Sequence, residues 1–170
     1  GKTLLWELQQ EAIISDLDAF LAADAELRAR FKGTPHLVEV RFGLPRPSGG
    51  DEGLEATQRE IPGLGTLRFR GVVDRIDLNS SGDLALVLDY KTGSARSYQA
   101  LNDDPVDGGK RLQLPIYTLA LQKSLGGHVT VPAAYWFISA RGRFMIFPPE
   151  PVEMAQVADR FDNVVGTIVR

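Results

Sequence analysis

With 170 residues, 44% of them hydrophobic and 24% charged, the chain suits one globular domain with a proper core and excludes a fibrous, collagen-like or wholly disordered protein. Nineteen Lys and Arg against 22 Asp and Glu leave a formal charge of −3, so a nucleic-acid partner would have to be held by a local basic patch. With no cysteine, disulfides, thiolate zinc sites and a cysteine-ligated iron–sulfur cluster are excluded.

No apolar run approaches the ~20 residues that span a bilayer, and the first residues lack the basic, apolar, small-residue order of a signal peptide. A cytoplasmic protein without membrane contact is the expectation. The chain begins without Met and enters a helical pattern at once, as expected of a fragment of a longer chain.

Residues 4–31 carry apolar side chains at Leu5, Leu8, Ile13, Leu17, Phe20, Leu21 and Leu27, which predicts a helix or helix pair. After Gly33 and Pro35, residues 36–44 alternate as a strand. The turn formers of residues 45–53 predict a mobile hairpin loop or insertion. Residues 64–78 and 84–93, separated by the turn sequence NSSGD, predict two adjacent strands. Residues 94–109 show little periodicity and predict a long flexible or gating connection. Residues 110–125 predict a helix that Pro115 forces to start late or kink. A hairpin around Arg141 and Gly142 and a helix over 152–169 close the chain. The order α-β-β-β-α-β-β-α predicts one α/β domain over residues 1–170, a central mixed sheet between helical layers.

The chemistry concentrates in GVVDRID, residues 71–77, and VLDYKTG, residues 87–93. Residues two apart on a strand share a face, so Asp89 and Lys91 project together, while Asp74 shares its face with Val72, Ile76 and Leu78. A carboxylate among apolar neighbours needs a partner, since burying an isolated charge is costly. If the two strands form an antiparallel hairpin, Asp74 and Asp89 can chelate one hard cation, joined by a backbone carbonyl. Mg2+ suits such oxygen ligands and retains waters, one of which can act as a nucleophile. Lys91 is one of only five lysines against 14 arginines, and its charge would sit beside that water or a phosphate oxygen.

A strand with G-x-x-D-R-I-D, an apolar strand ending D-Y-K-T-G and a helix with Q-L-P-x-Y together resemble the RecB-type branch of the PD-(D/E)XK nuclease superfamily, the nuclease domain of bacterial helicase–nucleases such as RecB and AddAB. The resemblance covers residues 37–121. It implies a restriction-endonuclease-like three-layer sandwich. It also implies a Mg2+- or Mn2+-dependent deoxyribonuclease, an exonuclease that works on single-stranded DNA beside a helicase in repair and recombination. By motif it assigns Asp74, Asp89, Lys91, Gln113 and Tyr117 to catalysis, with Glu39 as a further acid, and it assigns the metal to Asp74, Asp89 and the backbone of Tyr90. Two departures stand against full activity. No His lies in the R-G-x-x-x-H context of the family, and the four-cysteine cluster of many relatives cannot form here.

Each assignment has a plainer alternative. Asp89 and Lys91 could be a strand-end ion pair, Glu39 a solvent-facing strand residue and Tyr117 a packing residue. Arg75 and Asp77 read as a structural ion pair or solvated positions, and Tyr135, Trp136 and Phe137 as sheet core rather than a base-stacking platform. Phosphate contacts are expected from Arg68 and Arg70 on one strand face, Arg141 and Arg143 at the hairpin turn, and Arg96, Lys110 and Arg111 on the long connection. A catalytically idle nuclease fold that binds DNA or assembles a complex is the competing function. A stand-alone restriction-type endonuclease is a third.

Overall fold

The computed structural model describes residues 4–44 and 53–169. Helix α1 (Leu4–Phe31) is followed by strand β1 (Gly33–Phe42), the hairpin β2 (Thr57–Ile61) and β3 (Gly65–Phe69), then β4 (Gly71–Asn79) and β5 (Ala85–Lys91). Two 3-10 helices, Ala95–Asn102 and Asp107–Gly109, lead to α2 (Gln113–Leu125), after which come β6 (Ala133–Phe137), β7 (Ile146–Val152) and α3 (Met154–Ile168). The main sheet has the order β1-β4-β5-β6-β7, with β5 and β6 parallel and the other neighbours antiparallel.

The α/β sandwich is the expected one. The single strand anticipated over residues 64–78 divides at Arg70, and its first part pairs with β2 as a separate two-stranded sheet. Arg68 and Arg70 therefore do not share one continuous strand. The turn-rich stretch 45–52 lies outside the described residues. None of the helices found is long and apolar enough to cross a membrane.

Central strand β5 shows why the sheet sits between two layers. Ala85 and Val87 pack into the core beneath α2 and α3, whereas Leu86 and Leu88 pack against α1 with Trp136. Parallel β5 and β6 require a long crossover, which the two 3-10 helices and α2 supply. Buried Met154, Val157, Phe161 and Val165 recur every three or four residues and put one stripe of α3 on the core. Helix α1 is continuous rather than a pair. Only its second half seats on the sheet, through Phe20, Ala23, Leu27 and Phe31, while Leu5, Leu8, Ile13 and Leu17 stay exposed.

Beneath α1 lies a polar cluster inside the protein. Arg75 Nε donates to Asp77 Oδ1 at 2.5 Å and Nη2 to Oδ2 at 2.6 Å, while Nη1 reaches Asp24 of α1 at 2.6 Å and the Tyr90 hydroxyl at 3.3 Å. Burial alone would lower the Arg75 pKa, yet its bonds to Asp77, Tyr90 and Asp24 outweigh this and raise it. Arg75 and Asp77 are thus a buried structural ion pair, with Asp24 a third member that local sequence does not announce.

The connection after β5 is ordered, not loose. Ala95, Tyr98, Leu101 and Val106 are buried, and the Arg111 guanidinium stacks 3.6 Å from the Tyr98 ring centroid. Asp104 accepts from Gly108 N–H at 2.8 Å and takes two 2.6 Å bonds from Arg160 of α3. The Arg160 guanidinium holds that carboxyl at a pKa of about 2, so the clamp on α3 stays ionised at neutral and mildly acid pH.

Candidate active site

The β4–β5 hairpin places the two acidic motifs face to face. Its turn is tied by Asn79, whose amide donates to Ser81 at 3.0 Å and to Asp83 at 2.6 Å. That turn fixes a register in which Arg75 pairs with Leu88. One step further, where the ladder ends, Asp74 comes opposite Asp89. Directly opposed residues in an antiparallel pair share a face, and two like charges there are destabilising without a cation. Instead of a ladder bond, Tyr90 N–H donates to Asp74 Oδ2 at 2.7 Å.

Asp89 is 2% exposed. Burial first, and then the charge of Asp74, raise its pKa, although Lys91 and the Tyr117 hydroxyl oppose them. The Lys91 ammonium contacts Asp89 Oδ2 and lies 5.2 Å from the Tyr135 ring centroid. No hydrogen-bond donor otherwise serves Asp89 Oδ2 among the described residues. A buried carboxylate oxygen with one cation against it and a second carboxylate opposite is a donor set that fits a small hard cation. Mg2+ commonly uses one or two carboxylates and completes its octahedron with water and phosphate oxygens. No group of three or more His, Cys, Asp or Glu gathers among the described residues.

Pro115 occupies the first turn of α2, where its missing N–H interrupts no helical bond. Gln113 and Tyr117 then share one helical face, and Gln113 Nε2 donates to the Tyr117 hydroxyl at 3.3 Å. Burial and the neighbouring Asp89 charge raise the Tyr117 pKa, keeping the phenol protonated at neutral pH. Gly71, which opens the strand motif, is required by close approach: a Cβ there would lie 2.9 Å from the Phe42 ring and 3.5 Å from that of Tyr117. Phe42 in turn meets Tyr117 edge to face at 6.0 Å.

The bracketing pairs Val38–Arg75 and Val40–Val73 put Glu39 in the same row as Asp74. Glu39 is exposed, with φ +51°, and its side chain does not join the two aspartates in a metal-sized group. Tyr90 turns its ring to the opposite face, 5.9 Å from both Phe20 and Trp136, leaving only its backbone beside the carboxylates.

Trp136 and Phe137 are core side chains, and so is Tyr135. Tyr135, however, pairs with Asp89 in the register, and its hydroxyl is buried without a hydrogen-bond partner among the described residues. Burial and Asp89 raise its pKa. A second phenol beside the carboxylates is a feature the sequence reading missed, because the parallel register of β5 and β6 that sets Tyr135 opposite Asp89 has no local signal. Of the basic residues, Lys110 and Arg111 are balanced by Asp107 at 3.8 and 3.9 Å, whereas Arg96, Arg141 and Arg143 make no ion pair among the described residues.

A family model described as the PD-(D/E)XK nuclease superfamily matches residues 5–169 of the chain. No curated protein matches it.

Proposed function

The chain belongs to the PD-(D/E)XK nuclease superfamily, and on that premise we propose that it is a Mg2+- or Mn2+-dependent deoxyribonuclease of the RecB type. In this reading it digests single-stranded DNA as an exonuclease, in the cytoplasm, with a helicase domain or subunit feeding the strand during repair or recombination. The observation that carries the proposal is the facing of Asp74 and Asp89 with the Lys91 ammonium against the buried carboxylate.

Asp74, Asp89 and the backbone of Tyr90 would hold the metal. Mg2+ bound there supplies positive charge to the phosphate and lowers the pKa of a water. Lys91 keeps Asp89 ionised in its buried setting and offers a charge to the phosphate as negative charge develops. The neutral Tyr117 hydroxyl, oriented by Gln113, donates toward Asp89 or a substrate oxygen. Glu39, one row across, is proposed to handle a proton at the edge of the site. Hydrolysis breaks the phosphorus–oxygen bond to the leaving strand, and water supplies the oxygen and the protons of the products.

Support for a protein partner comes from the family resemblance and from the exposed apolar side chains on the first half of α1. Cleavage of end-labelled single-stranded and duplex DNA with Mg2+ tests the reading. Loss of the single strand from one end, abolished by EDTA, is the expected result. Metal and DNA binding without any cleavage would identify the competing idle module, which the missing family histidine favours. Cleavage that persists in EDTA would reject the metal scheme.

A further inference from the structure

A cavity of about 230 Å3 is lined by Ser94, which caps the first 3-10 helix, by Arg96 and Gln99 of that helix, and by Arg141, Gly142 and Arg143 of the turn before β7. Its wall includes Phe147, which belongs to the core on the sheet face that carries Asp89. The chain passes from Lys91 to Ser94 in three residues, so the cavity begins within ~11 Å of the Lys91 backbone.

Three exposed arginines line it, none of them ion-paired among the described residues, and no acidic residue does. Such an arrangement is repulsive until an anion enters. The turn that holds two of them is fixed by packing. Gly142 is buried against Phe137, where a Cβ would come 2.5 Å from the Phe137 Cβ. Arg143 and Phe144 then adopt φ +60° and +53°, a left-handed conformation that side chains avoid and that persists only where the surroundings impose it. The Ser94 hydroxyl accepts from Arg96 N–H at 3.3 Å and sets the first turn on the other wall.

We propose that this cavity binds a second phosphate of the DNA strand whose scissile phosphate lies at Asp74, Asp89 and Lys91. The proposal rests on the nuclease reading above. The phosphate is either an internal diester or the terminal monoester of the strand, the latter carrying about −1.5 to −2 charges at neutral pH.

The test measures binding of one single-stranded oligonucleotide in EDTA, with a 5′-phosphate, a 3′-phosphate or neither, across a range of salt. The variants are Arg141→Gln/Arg143→Gln and, on the other wall, Arg96→Gln, each compared with the parent at equal melting temperature. Loss of one phosphate contact should weaken binding about tenfold and reduce the slope of log K against log salt by about 0.7. An equal loss on all three oligonucleotides assigns an internal diester, and a loss confined to one phosphorylated end assigns the terminal group. Affinities and salt slopes equal to the parent's in both variants would overturn the proposal, as would a parent that does not bind the oligonucleotide. Because the readout is binding without metal, it is separable from the cleavage test. A parent that binds through the arginines but never cleaves overturns the nuclease reading, and one that cleaves while the variants bind normally overturns the cavity alone.

Discussion

Replacing Lys91 by Ala should lower cleavage at saturating Mg2+ by about 10²–10³-fold, the usual loss when one preorganised electrostatic group is removed from a hydrolytic site. Lys91 is the cation that touches buried Asp89, which burial and Asp74 push toward protonation. Without Lys91 the carboxyl takes up a proton more readily, so both the charge at the phosphate and the ionised metal ligand are lost. Stability should change far less, because a neutral Asp89 relieves the buried charge that Lys91 leaves behind. Single-turnover rates and urea midpoints of the two proteins check both halves. Equal rates at saturating Mg2+ would remove Lys91 from the mechanism.

The largest effect on stability is expected from Arg75→Leu. Arg75 is 4% exposed, and its loss strands Asp77, at 1% exposure, without its cation and leaves Asp24, at 7%, with Arg28 alone, 2.9 Å away. Breaking a buried ion pair from one side costs about 3–5 kcal/mol, a large share of the 5–15 kcal/mol that holds an ordinary domain together. Arg75 also lies 5.7 Å from the Trp136 ring centroid and ties α1 to the sheet. Urea unfolding monitored by tryptophan fluorescence should show the drop. A change below about 1 kcal/mol, the range of exposed pairs, would mean that the cluster is not a structural anchor.

Sequence and structure agree where interactions are local. The NSSGD turn sets the hairpin register, and with it the facing of Asp74 and Asp89 fifteen residues apart. Pro115 marks the first turn of α2, and the spacing of Gln113 and Tyr117 places them on one face. What stayed hidden depends on contacts between distant segments. Asp24 meets Arg75 only because α1 crosses the far face of the sheet, so the helical spacing of its apolar residues gave no sign of the pairing. The connection after β5 lacks helical periodicity because its turns are 3-10, and its order comes from Tyr98, Leu101 and the Arg160 clamp. The left-handed backbone of Glu39 leaves no trace in residue type, since neither a glycine nor an asparagine stands there.

Whether Asp74 and Asp89 form one metal site is decided by a crystal soaked in Mn2+. Anomalous scattering should locate a Mn2+ ion coordinated by one oxygen from each carboxylate and by the Tyr90 carbonyl, with water at the remaining positions, and the ion should be missing from crystals of Asp89→Asn. Mn2+ bound elsewhere with neither carboxylate as ligand, or the same ion retained when Asp89 is replaced, would mean that the two aspartates do not form a metal site.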